Sequence, residues 1–455
     1  MTRPSLGRTG SLLRAVILAL ATAFVTMSWA APGAPDVGSG VAWGVVPAPG
    51  DDVTVALERT SYGALTTIHA FSGEPNIGVA PDGTTYVTGI GWDGSAGGTM
   101  VFRRLPGQSS FTYLGMPNRG YGGNDEALAI GPTGTVWISG MYGFWTPQGA
   151  CASMTSSSDR GATWSPTTGG VCAGFGIDRQ WIAVDGHDRP WIVMHEICCS
   201  GQHTAYRSLD GGLTFELASV TSVMSGFPGN VFADRANGRI YEATNCGQLL
   251  ARGPCVLIGT TDPVSPAWVP SPVTVYTQHP GGLAHVAGAV DDAGNVYVTF
   301  VDKRAGDPRF SVYLSRSSDG GLTWSAPARV SEASKLTTMP WVAAGADGNV
   351  AVVWYETSSS GLFPSGVGTS AAWHVMSATI RGWTGVPMPA PELAQLSTTP
   401  AKTGPICTSG ASCAGHRELL DFFEAAVGPD GKLHVVWPQV GTWTMRVADV
   451  DAQLR

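Results

Sequence analysis

Charged side chains make up only 13% of this 455-residue chain, yet many of them stand in short strings. Asp125-Glu126, Asp178-Arg179-Gln180, His195-Glu196, Asp302-Lys303-Arg304, Tyr355-Glu356 and His416-Arg417-Glu418 are such strings, with Glu74, Asn76, Asp93, Tyr142, Asn230, Asn245, His285 and Gln439 as single polar outposts. A guanidinium fork matches a carboxylate in geometry and charge, so Arg179, Arg304 and Arg417 are candidate anion binders. Asp125 and Asp178 are candidate proton donors or acceptors, and His195, Glu196, His285 and Glu418 are candidate substrate contacts. The bland reading stands beside this one. Arg179 with Asp178, and Arg417 with Glu418, could be ion pairs that only tie neighbouring elements together.

The elements that carry these strings follow from self-similarity. Ser-x-Asp-x-Gly-x-Thr-Trp occurs as Ser157–Trp164 and Ser317–Trp324, and with a terminal Phe as Ser208–Phe215. A worn copy places Asp262 between Asp210 and Asp319, so that Asp159, Asp210, Asp262 and Asp319 are separated by 51, 52 and 57 residues. A second pattern, a Gly- or Asn-containing turn followed by a strand rich in aromatic and branched residues, occurs seven times, near Ala80, Gly131, Val184, Asp234, Asp291, Gly345 and Gly428. Each copy follows a short apolar run and reads as a hairpin. Four antiparallel strands in roughly 50 residues make one propeller blade.

The expected fold is therefore an all-β propeller of seven four-stranded blades. Six blades is the rival count, because Thr357–Ala414 is irregular. Asp52–Arg59 alternates apolar and polar residues and is expected to complete the last blade and close the ring. Glu418–Ala426 is the one short helical candidate, read mostly as strand. In this geometry the starts of the first strands and the ends of the second strands share one mouth of the channel. The charged strings fall on those positions. Water-filled channels are polar in any case, so the clustering marks a candidate site and no more. Trp92, Trp181 and Trp341 lie nearby, to stack on sugar faces or to fill the space between blades.

The Ser-x-Asp-x-Gly-x-Thr-Trp strings resemble the Asp-box (BNR) repeats of the sialidase-like superfamily. The box itself is structural: its Asp and Ser/Thr side chains bond backbone amides of a turn. The resemblance implies a glycan as partner and hydrolysis of terminal sialic acid as the activity. Family enzymes hold the substrate carboxylate with three arginines, use a Tyr–Glu pair as nucleophile and an Asp as acid/base, an exception to the usual pair of carboxylates. Tyr355 with Glu356, or Tyr142, is the candidate nucleophile, and Asp125 or Asp178 the candidate acid. The first blade reads Phe71-Ser-Gly-Glu-Pro-Asn-Ile, without the arginine that the family carries there. Two other readings stay open: a carbohydrate- or surface-binding propeller without catalysis, and a polysaccharide lyase using His195, His285 or Tyr142.

The N-terminus reads as an export signal. Arg3, Arg8 and Arg14 precede an apolar run, and Ser28-Trp29-Ala30 offers a cleavage site, which leaves residues 31–48 as a linker and residues 49–455 as the propeller. The run is short for a membrane anchor, the alternative reading. Eight cysteines in an exported chain suggest disulfides. Spacing favours Cys246–Cys255 and Cys407–Cys413. Cys151 and Cys172 could pair with each other, leaving the adjacent Cys198 and Cys199 to join, or each could pair with one of those two. No CxxC pair or nucleotide-binding glycine motif is present, so no metal or cofactor is expected, with structural calcium left open. The net charge of −8 and the lack of a basic stripe argue against nucleic acid. The mature chain is expected to be a secreted monomer free of the membrane.

Overall fold

The computed structural model describes residues 54–60, 63–92, 96–143, 150–172, 177–196, 202–222, 229–247, 253–277, 285–409 and 413–455. The signal and linker readings, Asp93, Cys198 and Cys199 lie outside these residues, as do the side chains of Asp178 and Glu196. Seven antiparallel sheets form the blades of an all-β propeller. The strands nearest the axis are Asn76–Val79, Asn124–Ile130, Ile177–Val184, Val231–Asp234, Val286–Val290, Leu336–Ala344 and Ala425–Val427, in blades 1 to 7.

Each of the seven turn motifs joins the first strand of a blade to the second. In blade 1, Ala80 N–H donates to Thr84 O (2.8 Å) and Gly83 N–H to Ala80 O (2.8 Å), and blades 2, 5 and 7 repeat this pattern at Gly131, Asp291 and Gly428. The fourth turn residue needs a positive φ, which is why Gly294 stands there in blade 5; in blade 3 Asp188 takes the same conformation. The aromatic that follows the turn (Tyr86, Trp137, Trp191, Tyr241 and Tyr297) is buried in every one of blades 1 to 5 and fills the wedge between blades.

The three Ser-x-Asp-x-Gly-x-Thr strings are the turns between third and fourth strands. In blade 5, Ser317 Oγ donates to Asp319 Oδ1 (2.7 Å), Thr323 N–H donates to the same oxygen (2.9 Å), and Thr323 Oγ1 donates to Asp319 Oδ2 (2.6 Å). Blades 2 and 3 repeat these bonds at Asp159 and Asp210. Trp324 Nε1 donates to Ser271 Oγ of blade 4 (3.0 Å), so one turn reaches the neighbouring blade.

Ring closure differs in one detail from the sequence reading. Gly63–Ile68, not Asp52–Arg59, pairs antiparallel with Thr444–Val450 as the fourth strand of blade 7. Thr54–Thr60 adds a fifth strand outside it. The alternation read in 52–59 was a genuine strand signal, but alternation does not say which of two successive strands lies inward. The described residues of Thr357–Ala414 supply the outer strands of blade 6, Ala372–Ile380 and Glu392–Gln395, and a short pairing at Lys402–Thr403. Glu418–Ala426 is strand only from Ala425; the rest is an irregular connection into blade 7. Disulfides join Cys151–Cys172, Cys246–Cys255 and Cys407–Cys413.

Candidate functional site

The strand order puts the starts of first strands, the second-to-third-strand loops and the blade-to-blade connections on one mouth, opposite the Asp-bearing turns. On that mouth the backbone departs from regular strand at repeated positions. Glu74 (φ 53°), Asp125 (37°), Arg179 (59°), Met339 (51°) and Leu420 (57°) are left-handed non-glycine residues at or just before the first strands of blades 1, 2, 3, 6 and 7. The ladder slips at Asn124/Glu126, Asp178/Gln180 and Thr338/Trp341. Such bulges turn a side chain out of the sheet, and left-handed residues of this kind cost of order 1–3 kcal/mol each.

Three of these residues, Glu74, Asp125 and Arg179, meet Arg417 and Asp421 of the connection into blade 7. Arg179 NH2 donates to Glu74 Oε1 (2.5 Å) and to Asp421 Oδ2 (2.7 Å). Arg417 grips Asp421 with two donors, NH2 to Oδ2 at 2.6 Å and NH1 to Oδ1. Asp421 N–H donates to Glu74 Oε1 (2.9 Å), and Arg179 N–H to Asp125 Oδ2 (3.1 Å). Gln180 Nε2 donates to the carbonyl of Asp125. Blades 1, 2 and 3 and the connection between blades 6 and 7 are thus locked by one ionic network.

An aromatic floor lies beneath it. Trp181 of blade 3, Trp341 of blade 6 and Phe422 of the connection pack with ring centroids 4.9–5.7 Å apart. The Arg179 guanidinium sits 4.6 Å from the Phe422 centroid. With Trp181 and Trp341 only 6% and 8% exposed, their main role is filling the space between blades. Arg179, His285, Thr408 and Asp421 line the concavity above, about 450 Å³ counted out to open solvent.

Burial sets the protonation of this region. It pushes the Glu74 carboxyl up to about 8 against the pull of Arg179. Asp421 is also pressed upward by burial, but the Arg417 bonds and the charges of Arg179 and Arg417 hold it far below the usual carboxylate range. Desolvation brings His285 down to about 4, so its imidazole is neutral at pH 7; its Nδ1 has no partner among the described residues. Two carboxyl groups with opposite shifts in one cluster are the arrangement expected of an acid/base site. Burial also lifts Glu126 and Glu424 to about 8.

Of the residues singled out in the sequence, Arg179, Arg417, Asp125 and His285 converge here. Arg304 lies elsewhere: its Nε is 3.1 Å from Asp302 and its NH2 donates to Thr274 Oγ1 (3.0 Å). Glu418 pairs with the buried Lys402 Nζ (2.6 Å). Tyr355 is fully buried against Phe423, and burial raises its phenol well above the usual range. Glu356, next along the strand, accepts from Trp354 Nε1 (3.1 Å) instead of joining it. Tyr142 donates to Gly169 O (2.7 Å). His195 lies tilted against His203, ring centroids 4.9 Å apart, and His203 bonds Glu242 (2.6 Å). On the ladder Asp178 opposes His195, and Glu196 opposes Ile177. The sequence reading missed Asp421, and it took Glu74 for rim and not for site. Asp421 stands four residues after Arg417, a spacing that suits an ion pair only where the segment curls, as it does here, and not in the strand expected over Glu418–Ala426.

No protein-family profile and no curated protein sequence matches the chain. Among solved structures, a Hadza microbial sialidase is 16% identical, with 63% of this chain and 64% of that one covered and a TM-score of 0.43. The present chain thus spans just under two thirds of that protein's length. An intramolecular trans-sialidase from Ruminococcus gnavus, in complex with oseltamivir carboxylate, is 11% identical (85% and 95% covered, TM-score 0.41). A polysaccharide lyase described as an ulvan lyase is 14% identical (62% and 76% covered, TM-score 0.40).

Proposed function

We propose that the protein is an exported glycoside hydrolase of sialidase type, taking a terminal acidic sugar at the mouth described above. The observation that carries this reading is the joining of Arg179, Arg417, Asp421 and Glu74, from three separate parts of the ring, in one network whose Arg179 and Asp421 line the concavity. A buried ionic network is weak support for stability and is better motivated by a task. Arg417 spends two of its five donors on Asp421 and keeps a side chain 24% exposed, so it can offer the remaining N–H groups to an incoming carboxylate. Asp421, held ionised, faces positive charge developing on the sugar ring, and Glu74, raised to about 8, keeps a proton at neutral pH beside it. Asp125 positions Arg179 through its backbone.

A second reading, binding without cleavage, is favoured by one observation: Tyr355 and Glu356 do not converge on the arginines. Product analysis separates the readings. Fluorogenic glycosides, with a sialoside and neutral sugars among them, are incubated with residues 31–455 and with Asp421→Asn. Hydrolysis that falls by roughly a hundredfold or more in Asp421→Asn supports the proposal, the size expected for losing a preorganised charge. Retention of a glycan without any released sugar supports binding alone. An unsaturated product, seen by its ultraviolet absorbance, identifies a lyase and contradicts hydrolysis.

A further inference from the structure

Among the described residues four large aromatic side chains are exposed: Trp92 (59%), Trp443 (43%), Tyr121 (41%) and Phe363 (39%). All four lie on the mouth that holds the ionic network. Phe363 is in the loop between the second and third strands of blade 6, Trp443 in the same loop of blade 7, Trp92 at the end of the second strand of blade 1, and Tyr121 in the connection from blade 1 to blade 2. They therefore fall on three consecutive blades, 6, 7 and 1, and the connection that follows them. The exposed apolar residues of the opposite face, Leu209, Leu213, Leu322 and Val386 among them, are aliphatic.

Each rim aromatic is propped by its surroundings. Trp443 meets Phe71 edge-on (centroids 4.7 Å), Tyr121 meets Tyr142 edge-on (5.2 Å), and Phe363 lies 5.4 Å from Phe310. A Cβ on Gly97 would come within 2.9 Å of Trp92 Cε3, so that ring is seated against a glycine backbone. Fixed, solvent-facing rings suit ligands that offer flat C–H faces at intervals, because stacking needs little ordering when the ring is already held.

We infer that this arc is a platform for an extended glycan chain, so that the protein engages several successive sugars and not the terminal one alone. The inference rests on the glycan reading of the mouth and deepens it. Binding rather than turnover tests it: affinity electrophoresis of residues 31–455 in gels containing a neutral β-glucan or an acidic polygalacturonate, with titration by the matching oligomers from mono- to hexasaccharide. The expected result is retardation by at least one polymer and affinity that rises with oligomer length. Trp92→Ala and Trp443→Ala each lower affinity roughly tenfold, whereas Leu213→Ala, on the opposite face, binds as the parent does. These rings are exposed, so the variants should keep the parent's Tm, which is measured alongside. Affinity independent of length, tryptophan variants that bind like the parent, or no retardation by either polymer would overturn the inference. Length-dependent binding without hydrolysis would overturn only the hydrolase reading; hydrolysis without length dependence would overturn only the platform.

Discussion

Arg179 is 5% exposed and serves two carboxylates from different parts of the ring. Its removal leaves the ionised Asp421 buried with Arg417 as its one cation among the described residues and takes a donor from Glu74 Oε1. Arg179→Ala is expected to lower the free energy of unfolding by about 3–5 kcal/mol, measured in urea. Arg417→Ala, at a half-open position, should cost clearly less. Glu126 and Glu424 make a second, independent prediction. Their carboxyls are raised by burial to about 8 in the folded state, so between the unfolded value of 4.5 and about 8 the native protein binds more protons than the unfolded chain. Stability should therefore fall as pH rises across that window, and Glu126→Gln should flatten the fall by up to ~1.4 kcal/mol per pH unit. A Tm series from acid to mild alkali, with and without the substitution, checks both the sign and the slope. At this scale the sequence was half legible. Arg179, Arg417, Asp125 and His285 stood at positions the repeat geometry could place. Tyr355 and Glu356 stood at equally promising positions, but residues adjacent on a strand point to opposite faces, and only the packing of Phe423 against Tyr355 reveals which face is closed.

The repeated elements were the most legible part. Turn chemistry marks them: a positive-φ position in the first hairpin of a blade, and an Asp whose two oxygens bond backbone and hydroxyl in the outer turn. Those outer turns sit opposite the candidate site. Asp319→Ala should lower Tm by about a few degrees while leaving glycan turnover as it was, since it removes turn bonds only. A drop in turnover without a change in Tm would contradict this division of labour. Where no repeat governs the chain, legibility ended. The segment from 413 to 424 carries Arg417, Asp421 and Phe422 at the mouth, and its course is set by partners on blades 1, 3 and 6 that no local pattern announces.

The whole molecule depends on how the ring closes. Gly63–Ile68 lies between the last strand of the chain and the outer strand Thr54–Thr60. Deleting residues through 60 removes only the outermost strand, and a cooperative thermal transition should persist. Deleting through 68 bares the edge of Thr444–Val450 and the core around Leu65 and Ile68, so the product should aggregate or lose cooperativity. Calorimetry of the two truncations distinguishes these outcomes, and equal behaviour would mean that closure does not rest on Gly63–Ile68. A closed ring is also what holds the parts of the mouth in register, because Arg179, Glu74 and Asp421 are separated by 105 and 242 residues from one another along the chain. The measurement that bears most directly on the account is turnover of a fluorogenic sialoside by residues 31–455 and by Arg417→Ala. The parent is expected to release the fluorophore and Arg417→Ala to lose that release, with Tm lowered less than in Arg179→Ala. No release at high protein concentration, or release that Arg417→Ala leaves intact, would contradict the assignment of the mouth as a site for an acidic sugar.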